Sequence, residues 1–523
     1  MRKNKVLLIW PPFLNSNHVA LTIPSLVGFL KGKGLDDVEV FDMNLAYWKT
    51  LGPYWSFYRL LRRGQGILRK RGQASSAAEK FLTERMARVL ETMETKGMRF
   101  LPWSLEGMLD SFKQDSWFSE RKKVRGLMRP LLGRQDLSFI GLSINFPDQL
   151  FFGLMIAHEI KERHGDSVRV VAGGAQITKN IRQLTENRDV HRLIDFFIVG
   201  DGEEPLHRLL AATPDAQALS QVPNLYYKDG GGEGAYVFSG KRFVLTPDDF
   251  VVPDFQGFDL AVYRDMLPVL GAAGCPWGQC SFCSYAGAQD RRFIAGSAPR
   301  TSRIIRALQE KYGISTFGFV DNAMTWACMK TLAEQFLQDG LRIEWNTNIN
   351  LDRKFADPDL CRLLRESGLT WVGFGLESVC RRVLGLMNKY HRDLAAAEIK
   401  RILTVMREAG IEIGVYIFFG FPTETRAEAL ETLDFVLDNI DLFDFVGMTP
   451  FFLEDMTMIF EEPAKYGITE IYAQHKAKLV NKRLTYGFKT REGMDREEVR
   501  VFCGEALGLL RLAFKKKARR GVR

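Results

Sequence analysis

The sequence predicts an α/β protein with two parallel sheets in series, an open doubly wound sheet and then a partial barrel, followed by a helical C-terminal region. Short, continuous apolar runs alternate with helix-length segments over residues 1–225 and again over 263–450. Such runs are typical of strands buried on both faces of a parallel sheet, with helices as connections. At 523 residues, the chain is long enough for each domain to have its own core.

In the first domain, apolar runs that predict strands are followed by segments with helical periodicity. The predicted strands are Lys5–Trp10, Val38–Phe41, Phe139–Ser143, Val168–Ala172 and Phe196–Val199. Residues 51–135 interrupt this alternation with Arg, Leu and aromatic residues at helical spacing. We therefore expect a helical insertion there.

The insertion at 51–135 combines aromatic with basic side chains, and two interpretations stay open. These side chains are Trp55, Phe57, Tyr58, Trp103 and Trp117, together with Arg59, Arg62 and Arg63. Aromatic rings and guanidinium groups would suit a substrate with apolar and acidic parts. The alternative is a packed helical bundle whose basic residues are solvated.

The second domain follows a predicted linker at 226–262, where a glycine-rich turn and a proline-bounded stretch occur. Repeated strand–helix units then form a barrel or partial barrel, whose active site lies at the C-terminal ends of the strands. The strands predicted beyond a cysteine-containing loop are Thr316–Val320, Ile343–Asn346, Trp371–Phe374 and Ile413–Phe418. Residues 451–523 are predicted to be helical.

Composition and charge narrow the class of protein. The sequence has no apolar run of about eighteen residues, so we expect no membrane-spanning helix. Seven cysteines without regular spacing do not indicate a disulfide framework, and we expect a reducing, cytoplasmic location. The formal net charge is +9, with basic residues concentrated in a few segments. Nucleic acid is not the expected partner, because no aromatic RNA-binding module accompanies these charges.

The most informative cluster of residues comprises Cys275, Cys280 and Cys283. Three thiolates bind three irons of a [4Fe–4S] cluster and leave the fourth iron open to a substrate or cofactor. A structural zinc site would need a fourth ligand nearby, yet the next cysteine along the chain is Cys328 and no histidine lies near the motif. The pattern therefore favours an open iron–sulfur site over a closed zinc site.

This loop resembles the cluster-binding loop of radical S-adenosylmethionine (SAM) enzymes, particularly those with an N-terminal cobalamin-binding domain. Most members have one residue fewer between the first two cysteines than the four found here. The resemblance implies that the three cysteines hold a [4Fe–4S] cluster and that its open iron chelates SAM.

The same resemblance implies further SAM contacts. Phe282 lies between two of the cysteines and resembles the aromatic residue that approaches adenine. Asp321 follows a predicted strand, where it would face the methionyl group or form an Asx turn. Glu377 and Ser378 belong to a Gly-x-Glu-Ser…Met-x-Lys pattern and imply contacts with ribose or methionine, with a helix cap as the alternative. Gly420 ends a predicted strand and implies close approach of adenine to the backbone.

The first domain resembles cobalamin-binding domains at the ends of two predicted strands. Ser143 and Asn145 follow one strand, and Gly173 and Gly174 end the next, where small residues admit a ligand to the backbone. Glu203 lies in the loop that follows the closing strand of this pattern. The chain lacks an Asp-x-His-x-x-Gly motif, which implies cobalamin without that histidine on cobalt. The alternative for the glycine pair is tight packing of a helix on the sheet.

The resemblance implies a cobalamin-dependent radical SAM enzyme that methylates an unactivated carbon of a peptide or natural product. In such enzymes a substrate radical made by hydrogen abstraction receives a methyl group from methylcobalamin, and an external flavodoxin or ferredoxin type of donor supplies electrons. Because hydrogen abstraction needs no protein nucleophile, we assign no catalytic acid or base. Radical cyclisation or rearrangement without methylation, and tRNA modification, remain as alternative functions.

Overall fold

The computed structural model describes residues 5–12, 19–54, 56–57, 60–61, 85, 105–113, 118–212, 215–229, 234–263, 266–285, 292–473 and 485–520. Much of the predicted insertion lies outside the described residues, including every aromatic and arginine residue singled out above except Phe57. The chain forms two compact units. The first contains Met1–Val244 and Pro253–Arg264, and the second contains Leu245–Val252, Asp265–Gln474 and Thr485–Arg523.

The first unit is built on a seven-stranded sheet with the strand order β2-β1-β3-β4-β5-β6-β7. Its strands are β1 (Lys5–Trp10), β2 (Val38–Asp42), β3 (Leu137–Ser143), β4 (Arg169–Gly173), β5 (Phe196–Ile198), β6 (Leu225–Lys228) and β7 (Tyr236–Phe238). Strands β1 to β5 are parallel, which confirms the open doubly wound sheet. Strands β6 and β7 are antiparallel and extend one edge of it.

These two edge strands fall in residues that the sequence assigned mostly to a linker at 226–262. In β6, buried Leu225 and Tyr227 alternate with partly exposed Tyr226 and Lys228. This alternation lets a strand cover the edge of the sheet while facing solvent on one side. It extends over too few residues to be distinguished from a turn in the sequence alone.

Helices cover both faces of this sheet. They are α1 (Thr22–Gly32), α2 (Met43–Lys49), α3 (Leu105–Lys113), α4 (Phe118–Leu132), α5 (Pro147–His164), α6 (Ala175–Lys179), α7 (Ile181–Glu186), α8 (Arg188–Leu193), α9 (Glu203–Ala211) and α10 (Ala216–Leu219). The N-terminal half of α5 is buried on all sides, which explains why its sequence is apolar without a polar stripe. It forms the centre of the first hydrophobic core.

Two arginines of α4 form ion pairs with a glutamate of α5. Arg121 Nε and Arg125 Nε donate to the two carboxylate oxygens of Glu159, at 2.8 and 2.5 Å. The Glu159 side chain is only 2% exposed, and burial of such a carboxylate is tolerated when cations pair with it. These two arginines therefore have a buried structural partner within the fold, and one of their two positive charges is balanced by the Glu159 carboxylate.

The second unit contains a six-stranded parallel sheet with the order β15-β14-β13-β12-β11-β8. Strands β8 and β15 form its two edges, so the barrel is partial, as predicted. The strands of this unit are β8 (Leu267–Val269), β9 (Ala272–Gly274), β10 (Phe293–Ala295), β11 (Thr316–Phe319), β12 (Glu344–Asn348), β13 (Leu369–Glu377), β14 (Glu412–Phe419), β15 (Phe445–Pro450), β16 (Ile468–Ala473) and β17 (Tyr486–Thr490).

Helices connect successive strands of the partial barrel. They are α11 (Ala298–Tyr312), α12 (Trp326–Gln338), α13 (Pro358–Glu366), α14 (Arg381–Met387), α15 (Ala396–Glu408) and α16 (Arg426–Asp438), followed by α17 (Met458–Glu461) and α18 (Arg496–Arg520). Because every connection returns to start a parallel strand, the polar loops and helix starts gather at the carboxyl ends of the strands. None of the helices within the described ranges combines the length and apolar character that a membrane span requires.

The C-terminal region contains a feature that the sequence analysis missed. Helix α18 is present as expected, but β16 and β17 form an antiparallel hairpin before it. In the hairpin, a Cβ on Gly487 would lie 2.2 Å from the ring of Tyr472. The Tyr472 ring therefore packs against the backbone of β17 at Gly487. A short strand with a glycine under an aromatic residue gives little periodic signal.

We expect Gly368, between α13 and β13, to be essential for stability. Its φ is +99°, and a Cβ there would lie 1.9 Å from the Ile343 carbonyl oxygen. Gly340 is a matched control, because its φ is +65° with nothing within 4 Å of a Cβ. Both Ala substitutions carry a left-handed backbone cost of about 1–3 kcal/mol, but only Gly368→Ala adds a steric overlap. Its melting temperature should be the lower one, and equal values would contradict this.

Candidate functional site

The three cysteines lie in one loop that begins where β9 ends. All three are partly exposed and none forms a disulfide. Burial raises the pKa of the Cys280 thiol to about 12, although Lys389 lowers it, and the neighbouring Cys283 and Cys275 raise it further. The thiols are thus close enough to interact electrostatically. No three His, Cys, Asp or Glu side chains converge on a single metal ion in the described part of the chain, but ligands of separate irons in one cluster need not converge.

Backbone and hydroxyl hydrogen bonds attach the cysteine loop to the C-terminal end of α14. The Ser281 N–H donates to the Met387 carbonyl at 2.9 Å, and its hydroxyl donates to the Leu386 carbonyl at 2.9 Å. The last carbonyls of a helix have no partner within the helix. Ser281, fully buried between two of the cysteines, satisfies two of them and so fixes the loop.

A second attachment runs through Asn388, which follows α14. The Trp277 Nε1 donates to the Asn388 carbonyl at 2.7 Å, and the Asn388 Nδ2 donates to the Gln279 carbonyl at 2.9 Å. Asn388 has a φ of +49°, and asparagine tolerates this left-handed conformation better than most residues. Asn388 therefore both ends α14 and forms hydrogen bonds with the cysteine loop.

An ion pair lies beside this loop at the end of β13. The Lys389 Nζ donates to the Glu377 Oε1 at 2.8 Å, and the two side chains are only 12% and 11% exposed. Glu377 has a φ of +58°. A Cβ on Gly375 would lie 1.9 Å from the Glu377 Oε1 and 2.8 Å from the Lys389 Nζ. Glycine at 375 therefore leaves the space that the ion pair occupies.

Lys389 also contacts Phe282, the aromatic residue between two cysteines. Its Nζ lies 5.7 Å from the centre of the Phe282 ring, which is within the range of a cation–π contact. The same ring lies 5.0 Å from that of Phe418, at the end of β14. Burial lowers the pKa of Lys389, but Glu377 and Cys280 raise it more, so the lysine stays charged.

Ser378 does not share the position of Glu377. Its side chain is fully buried, its Oγ lies 3.0 Å from the Thr432 Oγ1, and it accepts a hydrogen bond from the Cys380 N–H at 3.1 Å. Cys380 is the residue before α14. These contacts engage the Ser378 hydroxyl with α16 and with the turn before α14, whose N-cap residue is Cys380 and not Ser378.

Gly420 follows β14 with a φ of +82°. Its N–H donates to the Glu424 Oε2 at 2.6 Å. A Cβ there would lie 2.5 Å from Val499 of α18. The lack of a Cβ at Gly420 therefore lets α18 approach this part of the backbone closely. Glu424 is buried, and its Oε1 has no hydrogen-bond partner among the described residues.

Asp321 follows β11 and lies beneath the start of the cysteine loop. Its Oδ1 accepts hydrogen bonds from the N–H groups of Gly271 and Ala272, at 2.9 and 2.8 Å. It thereby positions the segment that leads into β9. The Oδ2 atom is buried without a hydrogen-bond partner among the described residues. Burial raises the pKa of Asp321 to about 7, although the two N–H groups lower it.

In the first unit, polar groups gather between β1 and β3. Strand order reverses there, because β1 is flanked by β2 on one side and β3 on the other, and ligands of doubly wound sheets bind at such a point. The Asn145 Nδ2 donates to the Ser143 Oγ at 2.9 Å and to the Thr22 Oγ1 at 3.0 Å. Thr22 begins α1 after β1. Thr22 was not predicted from the sequence, although a hydroxyl residue in the first turn of the helix after β1 could have indicated it.

The two glycines at the end of β4 differ in the space around them. Gly174 has a φ of +106°, and a Cβ there would lie 2.5 Å from the Ile144 carbonyl oxygen. Gly174 is therefore needed for packing. A Cβ on Gly173 would meet the Ile198 carbonyl oxygen at 3.5 Å, an ordinary contact. Glu203 begins α9, and its Oε2 accepts a hydrogen bond from the Gly202 N–H at 3.1 Å.

We expect Asp321 to reduce stability as pH rises. The folded pKa is about 7 against 3.8 for the free group, so the unfolded chain loses this proton first as pH rises above about 4, and the penalty is complete above about pH 7. Asp321→Asn removes this titration. The melting temperature of Asp321→Asn minus that of wild type should increase between these pH values. A difference that does not vary with pH would contradict the prediction.

Comparison with known proteins identifies the second unit. Residues 269–436 match the family model of the Radical SAM superfamily. No curated protein matches the sequence significantly. One similar solved structure is TsrM from Kitasatospora setae, a radical SAM methyltransferase with cobalamin and a [4Fe–4S] cluster bound. It is 16% identical with a TM-score of 0.59, over 87% of this chain and 77% of that chain.

Two further structures are similar over most of this chain. A TsrM structure with tryptophan substrate and the SAM analogue aza-SAM is 16% identical with a TM-score of 0.59, over 90% of this chain and 78% of that one. OxsB, a cobalamin-dependent SAM radical enzyme with aqua-cobalamin bound, is 16% identical with a TM-score of 0.57, over 88% of this chain and 55% of that chain. This protein thus carries a domain of the Radical SAM superfamily, in a chain whose fold is similar to that of cobalamin-dependent radical SAM enzymes.

Proposed function

We propose that this protein is a cobalamin-dependent radical SAM enzyme that methylates an unactivated carbon of a peptide or natural-product substrate. The observation that carries the proposal is the loop of three partly exposed cysteines outside any disulfide, fixed to the end of α14 by the contacts of Ser281 and Asn388. A loop held in this way presents three thiols without a fourth local ligand, which suits a cluster with one open iron.

The residues around the loop suit SAM in distinct ways. The Glu377 carboxylate is a hydrogen-bond acceptor for ribose hydroxyl groups or the methionyl amino group. The Phe282 ring offers a flat apolar surface next to it. We retain Phe282, Glu377 and Gly420 as proposed SAM contacts, whereas Ser378 and Asp321 support them through hydrogen bonds to the backbone before α14 and before β9.

The edge of the first unit suits the nucleotide tail of cobalamin. Ser143, Asn145 and Thr22 offer hydroxyl and amide groups at the point where strand order reverses. Gly173 keeps the neighbouring backbone accessible, and Glu203 is the first residue of α9, which follows β5. When bound, the cluster would supply the electron that cleaves SAM, and cobalamin would supply the methyl group.

The substrate class follows from the similar enzymes and stays a proposal. TsrM is described as a methyltransferase with a tryptophan substrate, which favours methylation of a small molecule or of a residue in a peptide. OxsB is described as a cobalamin-dependent radical enzyme, with no methylation named, so radical cyclisation or rearrangement is kept as the alternative. Mass spectrometry of the product separates the two outcomes, because methylation adds one methyl group and the alternatives add none.

We predict that Cys275, Cys280 and Cys283 are all required for the cluster. Simultaneous replacement by Ala should abolish iron and sulfide incorporation after anaerobic reconstitution, and with it the cleavage of SAM to 5′-deoxyadenosine. The partly exposed Cys328 and Cys503 are matched controls, and their Ala variants should incorporate iron like wild type. Iron content and SAM cleavage at wild-type levels in the triple variant would refute the assignment.

We also predict that a large side chain at Gly173 excludes cobalamin while the fold is kept. Gly173→Leu should bind less than a tenth of the cobalamin that wild type binds after anaerobic loading, because the side chain would project from the backbone that the nucleotide tail approaches. Gly173→Ala is the size control, since its Cβ makes only ordinary contacts. Absorption spectra measure bound cobalamin, and melting of the cobalamin-free variants reports the fold. Full cobalamin binding by folded Gly173→Leu would place the tail elsewhere.

A further inference from the structure

The Glu377–Lys389 pair stands beside the cysteine loop and is not explained by SAM binding alone. Both side chains are about nine-tenths buried and joined at 2.8 Å. Burying two charges is costly, and an apolar pair is often as stable. The fold nevertheless reserves space for the pair, since Gly375 has no Cβ where the Glu377 carboxylate lies. A placement this specific indicates a role beyond packing.

The pair lies beside the cysteine loop. The Lys389 Nζ lies over the ring of Phe282, the residue immediately before Cys283. The Glu377 carboxylate accepts a hydrogen bond from the same ammonium group, so its negative charge partly offsets the positive charge next to the loop.

The geometry keeps Lys389 in this position. Its Nζ is fixed by the Glu377 Oε1 and lies 5.7 Å from the centre of the Phe282 ring. Its neighbour Asn388 is hydrogen-bonded to the cysteine loop through the Gln279 carbonyl. The lysine side chain is thus held against Phe282, and the residue before the lysine is bonded to the loop that carries the thiols.

We infer that the positive charge of Lys389 stabilises the reduced state of a cluster bound by Cys280 and Cys283, and that the negative charge of Glu377 limits this effect. The inference rests on the proposed function. One-electron reduction adds a negative charge to the cluster and its thiolates, with the electron supplied by an external ferredoxin or flavodoxin type of donor. A buried cation favours that state and a buried anion opposes it, because charges interact strongly where water is excluded.

Substitutions of the two residues should therefore shift the reduction potential of the cluster in opposite directions. Lys389→Gln removes the cation and should make reduction at least tenfold less favourable, which is about 59 mV for one electron. Glu377→Gln removes the anion and should make reduction more favourable. A role in packing alone would not produce shifts of opposite sign. Lys389→Arg keeps the charge and should lie closer to wild type than Lys389→Gln does.

The experiment is a mediated redox titration of the reconstituted full-length protein with dithionite, followed by electron paramagnetic resonance in the absence of SAM. Exposed Lys400→Gln is the matched control for loss of a positive charge, and melting of the cluster-free variants reports the fold. Opposite shifts in Lys389→Gln and Glu377→Gln support the inference. Shifts of the same sign, or shifts no larger than that of Lys400→Gln, overturn it.

Two further outcomes are distinguishable. If Lys389→Gln does not incorporate the cluster, Glu377→Gln decides alone: a rise in potential supports the inference, and an unchanged or lower potential overturns it. If wild type itself incorporates no cluster, the proposed function fails together with this inference. A wild-type cluster whose potential is insensitive to both residues refutes only the role of the ion pair.

Discussion

The hydrogen bonding of the cysteine loop to the end of α14 is the interaction on which the candidate site depends. Phe282 packs against Phe418, but the cysteine loop belongs to no helix or strand, so its backbone conformation is fixed by hydrogen bonds to a neighbouring element. The unpaired carbonyls at the end of a helix are strong acceptors, and Ser281 and Trp277 use them at Leu386, Met387 and Asn388. The same helix end carries Lys389, so the thiols and the buried charge are held by one element.

The sheets were predictable because their strands are long enough and apolar enough to be recognised. All five strands predicted in the first unit, and the four predicted beyond the cysteine loop in the second, are present near the expected residues. The edge strands β6 and β7 were not predicted as strands, because they show only a brief alternation and lack the continuous apolar run by which the equally short β5 was recognised. The hairpin of β16 and β17 was missed for a similar reason, since Gly487 interrupts its pattern.

The parts of the site in which the chemistry requires a particular residue type were predictable from the sequence. The parts in which the fold determines the partner of a side chain were not. Three cysteines in one loop indicate a cluster whatever the surroundings. Ser378 and Asp321 carry polar groups that either a cofactor or a backbone could use, and the structure shows both engaged with the protein. Lys389 lay within a recognised pattern, but its pairing with Glu377 depends on a turn that no local spacing reveals.

The attachments of the cysteine loop also have a consequence for the order of folding. Ser281 and Trp277 bind carbonyls that lie 105 and 111 residues later in the chain, beyond β11, β12 and β13. Contacts of such sequence separation form late, because the entropy of closing the intervening chain is lost before they contribute. During synthesis the thiols would therefore emerge well before the segment that orders them. Metal incorporation into an ordered site must then follow assembly of most of the barrel rather than guide it.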